Sequence, residues 1–239
     1  MSLLTVVRHG QASFLAENYD RLSPLGEEQA RLLGRYWVAA GTTFDRIFTG
    51  PAERQIRTAA IAGEELRAAG RQWPEPECLP DLDEFPAEPV VRAFLPGLME
   101  QHEHLRQWVD QLQNGADRAV KQRAFDSILR DVSQRWLRGE VGSAEIPSWQ
   151  DFCHRVESAI AAITEGAPKS TRAAVFTSAG PMAATARVAL RLSYEATLEL
   201  TWSPRNASVS DFLFTPGRFS LSCFNTTPHL AEPRLITYR

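Results

Sequence analysis

The segment that decides the fold is LLTVVRHGQA, at residues 3–12. Its first half, Leu3 to Val7, is largely apolar and rich in β-branched residues. Such a run is typical of a strand that is buried on both faces of a parallel sheet. Arg8, His9 and Gly10 come directly after it. Because ligands bind outside the carboxyl ends of the strands in open α/β sheets, the segment predicts a site at this strand end.

Strands and helices alternate through the next part of the chain. Ser23 is a candidate N-cap for a helix whose first residue is Pro24, since serine accepts from free backbone N–H groups and proline has none to satisfy. A second strand is predicted at 44–49, a helix at about 52–69 and a third strand near 77–79. This order predicts an α/β fold, a three-layer α/β/α sandwich with a mostly parallel sheet.

The segment at 85–148 has a different pattern. It contains no strand candidate but long amphipathic stretches, which predict a helical insertion and a candidate cap over one end of the sheet. The earlier pattern then resumes, so we interpret residues 1–239 as a single domain that carries this insertion. The elements predicted after it are a helix at 149–164, a strand at 173–177, a helix at about 180–192 and a hairpin of strands at 208–215 and 219–225.

The composition limits the classes of partner. The formal net charge of the 239 residues is −3, and the lysines and arginines are scattered rather than clustered. A nucleic acid or a membrane surface requires a basic face, so neither is expected as a partner. A small-molecule partner is expected instead, and an anionic one must be bound by a few well-placed arginines. The composition does not indicate an oligomeric state.

The cysteines and the first residues indicate the compartment. Cys78, Cys153 and Cys223 are far apart and lack the spacing of metal ligands, so we expect buried, reduced thiols. The start of the chain, MSLLTVVRHG, has neither the basic start nor the small-residue cleavage site of a signal peptide. No apolar stretch approaches the length that spans a membrane. These features predict a cytoplasmic protein.

Polar residues with related chemistry follow each of four predicted strands. Arg8 and His9 follow the first strand, and Arg54 lies in the first turn of the helix that follows the second strand. Glu84 follows the third strand and Ser178 the fourth. A neutral imidazole can attack phosphorus, arginines can neutralise phosphoryl oxygens, and a glutamic acid can protonate the leaving alkoxide. The set predicts phosphoryl transfer through His9, a reaction that requires no metal ion or other cofactor.

Several of these assignments have alternatives. Arg57 competes with Arg54 for the phosphate, although the spacing from the Gly-Pro turn at 50–51 favours Arg54. His9 has a purely structural alternative, as a strand-end histidine bonded to a carbonyl group. Gly10 is expected to let the backbone approach the ligand, since it has no Cβ. The other open assignments are Asp81, Asp83 or Glu88 in place of Glu84, Gln11 and Ser13 as phosphate ligands or turn caps, Ser178 as phosphate donor or space filler, and His102 or His104 as cations from the insertion.

Six stretches carry a resemblance to a known family. They are LLTVVRHGQA at 3–12, DRLSPLGEEQARLLG at 20–34, FDRIFTGPAERQIRTA at 44–59, LDE at 82–84, NASVSDFLF at 206–214 and FNTTPHL at 224–230. With these stretches the chain resembles the histidine phosphatase superfamily, which includes the cofactor-dependent phosphoglycerate mutases. The resemblance covers most of the core and little of the insertion. It implies a phosphoglycerate mutase-like fold, His9 as the phosphorylated nucleophile, Arg8 and Arg54 as phosphate ligands, and Glu84 as proton donor.

One position departs from the family pattern. The family places a second histidine just after the fourth strand, where this chain has Ser178. A serine hydroxyl donates one hydrogen bond and carries no positive charge, so we expect turnover to be lower by roughly 10²–10³-fold. Backbone N–H groups of the helix that begins near Gly180 are expected to compensate in part.

Three functions follow from these residues. The first is a phosphatase that hydrolyses a small phosphate ester through a phosphohistidine at His9. The second is a binding or regulatory protein that keeps the phosphate pocket and has lost most turnover, which Ser178 favours. The third, a phosphoglycerate mutase, is disfavoured because no extra basic cluster is present to hold an intermediate with two phosphates. The substrate is not identified, since the unmatched insertion is expected to set specificity.

Overall fold

The computed structural model of the chain describes residues 1–12 and 20–238. Their strands form one mixed sheet in the order β3-β2-β4-β1-β5-β6. The four strands from β3 to β1 pair in parallel, and β5 and β6 are antiparallel. This confirms the predicted α/β class and the mostly parallel sheet. The strands are β1 at Ser2–Arg8, β2 at Arg46–Thr49, β3 at Glu77–Cys78, β4 at Arg172–Thr177, β5 at Val209–Thr215 and β6 at Arg218–Thr226.

The helices follow the predicted bounds closely outside the insertion. Ser23 caps the first helix, where its hydroxyl accepts from the backbone N–H of Gly26 at 3.0 Å. The short helix α8 was not anticipated from the sequence. The helices are α1 at Pro24–Ala39, α2 at Glu53–Ala68, α3 at Ala87–Gln101, α4 at Glu103–Asn114, α5 at Arg118–Leu137, α6 at Trp149–Thr164, α7 at Ala179–Leu190 and α8 at Tyr194–Leu200.

An aromatic cluster fixes α1 and α2 on one face of the sheet. The ring of Trp37 lies 4.9 Å from that of Phe44 and 6.1 Å from that of Phe176, centroid to centroid, and all three side chains are buried. Val6 and Val175 alternate with the strand residues of this cluster and are also completely buried, so the other face of the sheet is covered too. Ala59, Ala62 and Leu66 of α2 belong to the same cluster, which therefore packs α2 against this face of the sheet.

The chain divides into two compact units, Met1–Glu84 with Cys153–Arg239 and Phe85–Phe152. The second unit contains α3, α4, α5 and the start of α6. It has its own apolar centre, where the ring of Phe85 lies 5.6 Å from that of Trp149 and 6.3 Å from that of Trp136. The range predicted as an insertion, 85–148, therefore lies within a separate helical unit.

The expectation of three buried cysteines is confirmed only for Cys153. Cys153 is buried and Cys223 is partly covered, but Cys78 is exposed. Cys78 ends β3, an edge strand of two residues that are both exposed, so its position in a strand did not imply burial. Burial raises the pKa of the Cys153 thiol to about 12.

No helix among the described residues combines the length and the apolar character that crossing a bilayer requires.

Candidate active site

His9 lies at the carboxyl end of β1 and is 4% exposed. Its backbone N–H donates to the carbonyl of Thr177, at the end of β4, at 2.9 Å. Its own carbonyl accepts from the N–H of Ala207 at 3.0 Å. The backbone of His9 is therefore held on both sides by neighbouring chain segments, which fixes the direction in which the ring leaves the sheet.

The two ring nitrogens of His9 have different partners. Nδ1 lies 2.7 Å from the carbonyl oxygen of Gly10, and Nε2 lies 3.1 Å from Nε of Arg54. A carbonyl oxygen can only accept and a guanidinium nitrogen can only donate. Nδ1 therefore carries the hydrogen, and Nε2 presents its lone pair towards Arg54. This is the tautomer that a nucleophilic Nε2 requires.

The surroundings of His9 keep its ring neutral. Burial, followed by the positive charges of Arg54 and Arg8, holds the pKa of His9 well below its usual 6.5. The hydrogen bond to Gly10 acts in the opposite direction but does not offset these effects. A neutral imidazole is a nucleophile whereas an imidazolium is not, so the lowered pKa makes the ring competent for attack at neutral pH.

Arg54, in the first turn of α2, is held by Asp20. Its Nη1 donates to Oδ1 of Asp20 at 2.6 Å, and the backbone N–H of Glu53 donates to Oδ2 of the same carboxylate at 2.8 Å. Only 12% of the Arg54 side chain is exposed. Arg57, the alternative phosphate ligand, is exposed and pairs with Glu64 at 3.2 Å. The structure therefore brings Arg54 to His9 and not Arg57.

Thr58 joins α2 to the residue after the histidine. Its hydroxyl donates to the carbonyl of Arg54 at 2.7 Å and accepts from the backbone N–H of Gly10 at 3.1 Å. Sequence reasoning assigned no role to Thr58 or to Asp20. The signal for Thr58 was its position four residues after Arg54, on the same helix face. Asp20 opens the second stretch that resembles the family.

Arg8 is 8% exposed and lies beside the end of the sheet. Its Nη1 donates to the carbonyl of Pro204, and also to that of Tyr238 at 2.7 Å. Its charge contributes to the lowered pKa of His9. Arg8 is thus close enough to His9 to affect its protonation, and its role as a phosphate ligand stays a prediction.

Glu84 reaches the start of α7. The backbone N–H of Gly180 lies 3.1 and 3.3 Å from the two carboxylate oxygens of Glu84. The Gly180 N–H, which was expected to donate to a phosphate, therefore donates to the Glu84 carboxylate instead. Of the competing acids, Asp83 accepts from the backbone N–H of Glu84 at 2.8 Å, and Asp81 is exposed. Glu88 is exposed and pairs with Arg92.

Ser178 is completely buried at the end of β4. Its Oγ accepts from Nε2 of Gln55 at 2.8 Å. Gln55 follows Arg54 in α2, so this bond joins the end of β4 to the helix that carries the arginine. Sequence reasoning did not identify Gln55, because a glutamine in a helix gives no signal of a distant partner.

Gln11 and Gly10 have structural partners. The hydroxyl of Ser23 donates to Oε1 of Gln11 at 2.9 Å, and the N–H of Gln11 donates to Oε1 of Gln29 at 2.8 Å. The expectation that Gly10 serves close approach to a ligand stays a prediction. A Cβ at Gly10 would lie 2.4 Å from the carbonyl oxygen of Gly26, so the first turn of α1 also requires the glycine. Ser13 lies outside the described residues.

The remaining histidines have other surroundings. His104 contacts Asp131 at 3.2 Å and the ring of His102 at 5.6 Å, all within the second unit. His154 lies 2.9 Å from the hydroxyl of Tyr194. His229 is buried, and neither of its ring nitrogens makes a well-formed hydrogen bond within the described part of the chain. In that part no three His, Cys, Asp or Glu side chains are grouped as metal ligands would be.

Solved structures with the same fold cover nearly the whole chain. A phosphoserine phosphatase from Entamoeba histolytica, in complex with 3-phosphoglyceric acid, is 19% identical with a TM-score of 0.63, over 96% of this chain and 100% of that one. A phosphoglycerate mutase from Bacillus anthracis is 17% identical with a TM-score of 0.63, over 96% and 95%. A mycobacterial glucosyl-3-phosphoglycerate phosphatase in complex with inorganic phosphate is 18% identical with a TM-score of 0.60, over 97% of this chain and 100% of that one. They confirm the predicted phosphoglycerate mutase-like fold.

Curated relatives match over a shorter part. The 2,3-bisphosphoglycerate-dependent phosphoglycerate mutase of Thermobifida fusca is 43% identical over 79 residues, which are 30% of this chain and 31% of the relative. The corresponding mutase of Methylorubrum populi is 34% identical over 87 residues, which are 34% of this chain and 41% of the relative. The match thus spans only about a third of these relatives. The model of the histidine phosphatase superfamily (branch 1), in contrast, matches residues 4–119 and 100–227. The chain belongs to the histidine phosphatase superfamily.

Proposed function

We propose that this protein is a phosphatase that hydrolyses a small phosphate ester through a phosphohistidine at His9. The observation that carries the proposal is the arrangement around the His9 ring. Nδ1 lies 2.7 Å from the Gly10 carbonyl, Nε2 faces the Arg54 guanidinium at 3.1 Å, and the pKa of the ring is held low. A buried neutral nucleophile that faces a cation is suited to an electrophile with negatively charged oxygens, such as a phosphoryl group.

In the first step, the Nε2 lone pair of His9 attacks phosphorus and the bond from phosphorus to the ester oxygen breaks. The ring gains a positive charge, which the hydrogen bond from Nδ1 to the Gly10 carbonyl stabilises. The Arg54 guanidinium, which binds Nε2 in the free protein, passes to the phosphoryl oxygens. Glu84 in its protonated form gives its proton to the leaving alkoxide, and its other oxygen keeps the Gly180 N–H.

In the second step, water attacks phosphorus and the bond from phosphorus to Nε2 breaks. Glu84, now ionised, takes a proton from that water, and inorganic phosphate leaves. His9 returns to its neutral form and Glu84 to its acid form, so the cycle is balanced. This scheme uses only side chains of the protein and water, and no metal ion enters either step.

The proposed substrate class is a small phosphate monoester in the cytoplasm. Hydrolysis is favoured over mutase activity because a mutase must hold an intermediate with two phosphates, and the chain has no second basic cluster for it. The phosphatases among the structural neighbours support this choice only through their fold, since their identities to this chain are 18% and 19%.

A second candidate is a phosphate-binding regulatory protein with little turnover. Ser178 occupies the position of the second histidine, and the Gly180 N–H is engaged by Glu84. The first feature removes a cationic donor from a phosphoryl group, and the second engages a backbone donor elsewhere. This candidate predicts tight binding of inorganic phosphate by calorimetry together with negligible hydrolysis of an aryl phosphate.

The proposal is tested by rapid acid-free quenching of the protein with labelled aryl phosphate. We expect one acid-labile, alkali-stable label per chain, which is absent from the His9→Ala variant. Full labelling of His9→Ala would sink the assignment. Binding without any label in the wild type would favour the regulatory candidate.

A further inference from the structure

The hydrogen bond between Gln55 and Ser178 joins two side chains that are both completely buried. Neither side chain exposes area to solvent, so water does not compete for this bond. Each member of the pair adjoins a residue that contacts the proposed nucleophile, because Gln55 follows Arg54 in the chain and Ser178 follows Thr177, whose carbonyl accepts from the His9 N–H. A buried polar pair at this place calls for a physical reason.

The direction of the bond follows from a third group. The backbone N–H of Ala52 lies 3.1 Å from Oε1 of Gln55. Since an N–H donates, the atom that faces it is the amide oxygen, and the amide nitrogen therefore faces Ser178. That nitrogen also donates, so the hydroxyl oxygen of Ser178 accepts. The hydrogen of the Ser178 hydroxyl consequently points away from Gln55.

Among the described residues, the Ser178 side chain makes one hydrogen bond, which it accepts from Gln55. Its hydroxyl hydrogen therefore has no acceptor in this part of the chain. An unpaired buried donor is destabilising. A phosphoryl oxygen bound beside His9 would supply the missing acceptor. Donors in series also polarise one another, so the Gln55 amide strengthens the donor character of the hydroxyl.

Resting on the proposed function, we propose that Gln55 is a positioning residue that directs the Ser178 hydroxyl onto the phosphoryl group. The pair supplies a neutral donor in the place of the second histidine. Ser178 touches the substrate in this arrangement, and Gln55 acts through it.

The surrounding backbone is shaped for the Gln55 amide. A Cβ at Gly50 would lie 2.2 Å from Oε1 of Gln55 and 2.7 Å from the Leu82 carbonyl oxygen. The amide therefore occupies space that only a glycine leaves open. A histidine at position 178, in the rotamer that Ser178 adopts, would extend beyond Oγ into this amide. Gln55 thus determines which residue position 178 accepts.

The first experiment is a double-mutant cycle with Gln55→Met, which keeps the length of the side chain and removes the donor, and Ser178→Ala. The readouts are kcat and KM for an aryl phosphate and the Kd of orthovanadate by calorimetry. We expect each single variant to lower kcat about 10-fold, with KM changed less than about threefold. The double variant is expected to be no worse than either single one, because both changes remove the same donor.

The second experiment replaces Ser178 by histidine, with and without removal of the Gln55 amide. We expect Ser178→His alone to give no gain in kcat, since the Gln55 amide fills the space. The combination Gln55→Ala with Ser178→His is expected to exceed Gln55→Ala alone by about tenfold or more. Thermal unfolding of each variant shows that it is folded, and Arg57→Gln, on the exposed side of the same helix, is the matched control.

The outcomes separate this inference from the proposed function. Independent, multiplying effects in the cycle, an unchanged kcat in Gln55→Met, or a full gain from Ser178→His alone would overturn the role of Gln55 while turnover still depended on His9. If turnover is too low to measure, the same cycle is read on the Kd of orthovanadate. A wild type with neither His9-dependent turnover nor vanadate binding would overturn both proposals.

Discussion

The Nε–H of Arg54 points at Nε2 of His9 across 3.1 Å, so the cation and the proposed nucleophile meet before any ligand arrives. Two elements far apart in the chain create this contact, the end of β1 and the first turn of α2. An anion that enters the site gives Arg54 a better acceptor than a neutral ring nitrogen, which releases the lone pair for attack. The contact therefore describes a resting state of the proposed reaction.

The charge of Arg54 lowers the pKa of His9, and in the proposed reaction the same charge binds the phosphoryl group. In Arg54→Gln we expect kcat/KM to fall roughly 10²–10³-fold. The pKa of His9 should rise, because a positive charge that lowers it is removed, but it should stay below 6.5 since burial is the larger cause. A pH titration of the His9 ring by NMR measures this shift. Arg57→Gln is the control, and an unchanged titration in Arg54→Gln would contradict the contact.

Asp20 is expected to matter through Arg54. In Asp20→Ala the guanidinium loses its carboxylate partner at 2.6 Å, and the N–H of Glu53 loses its acceptor. We expect kcat/KM for an aryl phosphate to fall about tenfold, the usual scale for a charged hydrogen bond. The matched control is Glu64→Ala, which removes an exposed partner of Arg57. Equal losses in the two variants would show that Asp20 has no special role.

Gly10 is expected to be essential for folding. An alanine there would place its Cβ 2.4 Å from the Gly26 carbonyl oxygen, and backbone atoms cannot move aside cheaply. We expect Gly10→Ala to lower the free energy of unfolding by about 3 kcal/mol. Gly97→Ala, in α3, is the control, because an added Cβ meets nothing within 4 Å there and alanine favours the helix. Denaturant unfolding measures both, and a fully stable Gly10→Ala would contradict the close approach.

Burial of His229 predicts a loss of stability in acid. Burial lowers the pKa of its ring from 6.5 to about 4. Between pH 6.5 and pH 4 the His229 ring therefore binds a proton in the unfolded chain but not in the folded chain. The free energy of unfolding decreases as the pH falls through this range. The contribution of this one group is about 3 kcal/mol, and His9 acts in the same direction.

The test of this prediction compares unfolding free energies at pH 7 and pH 4.5. We expect His229→Phe, which keeps a ring without a titrating group, to show a smaller loss than the wild type. His154→Gln, at an exposed position, should lose as much as the wild type. An equal loss in His229→Phe would show that the ring titrates normally in the folded protein.

The local signals in the sequence were sufficient for most of the fold. The apolar run before Arg8 gave β1, and the Ser23-Pro24 pair gave the start of α1 to the residue. The sheet order was not accessible in this way, since β4 lies between β1 and β2 although it is far from both in the chain. Hydrophobic patterns describe which face of a strand is buried but not which strand is its neighbour.

The candidate site was inferred from strand ends. His9, Arg54 and Glu84 were assigned from their positions after three strands, and the structure brings His9 and Arg54 together. Asp20 and Gln55 were missed, because their roles arise from contacts with Arg54 and Ser178 that no local pattern announces. The exposure of Cys78 was misjudged and the contact between Gly10 and Gly26 was not foreseen, since burial and close approach depend on distant segments.

The most direct test of the account asks which atom of the protein carries phosphorus during turnover. Phosphorus NMR and fragmentation mass spectrometry of the alkali-quenched protein distinguish the two nitrogens of a phosphohistidine. Because Nδ1 is hydrogen-bonded to the Gly10 carbonyl, the expected product is His9 phosphorylated at Nε2. Phosphorus on Nδ1, on another residue, or on no residue during measurable hydrolysis would contradict the account.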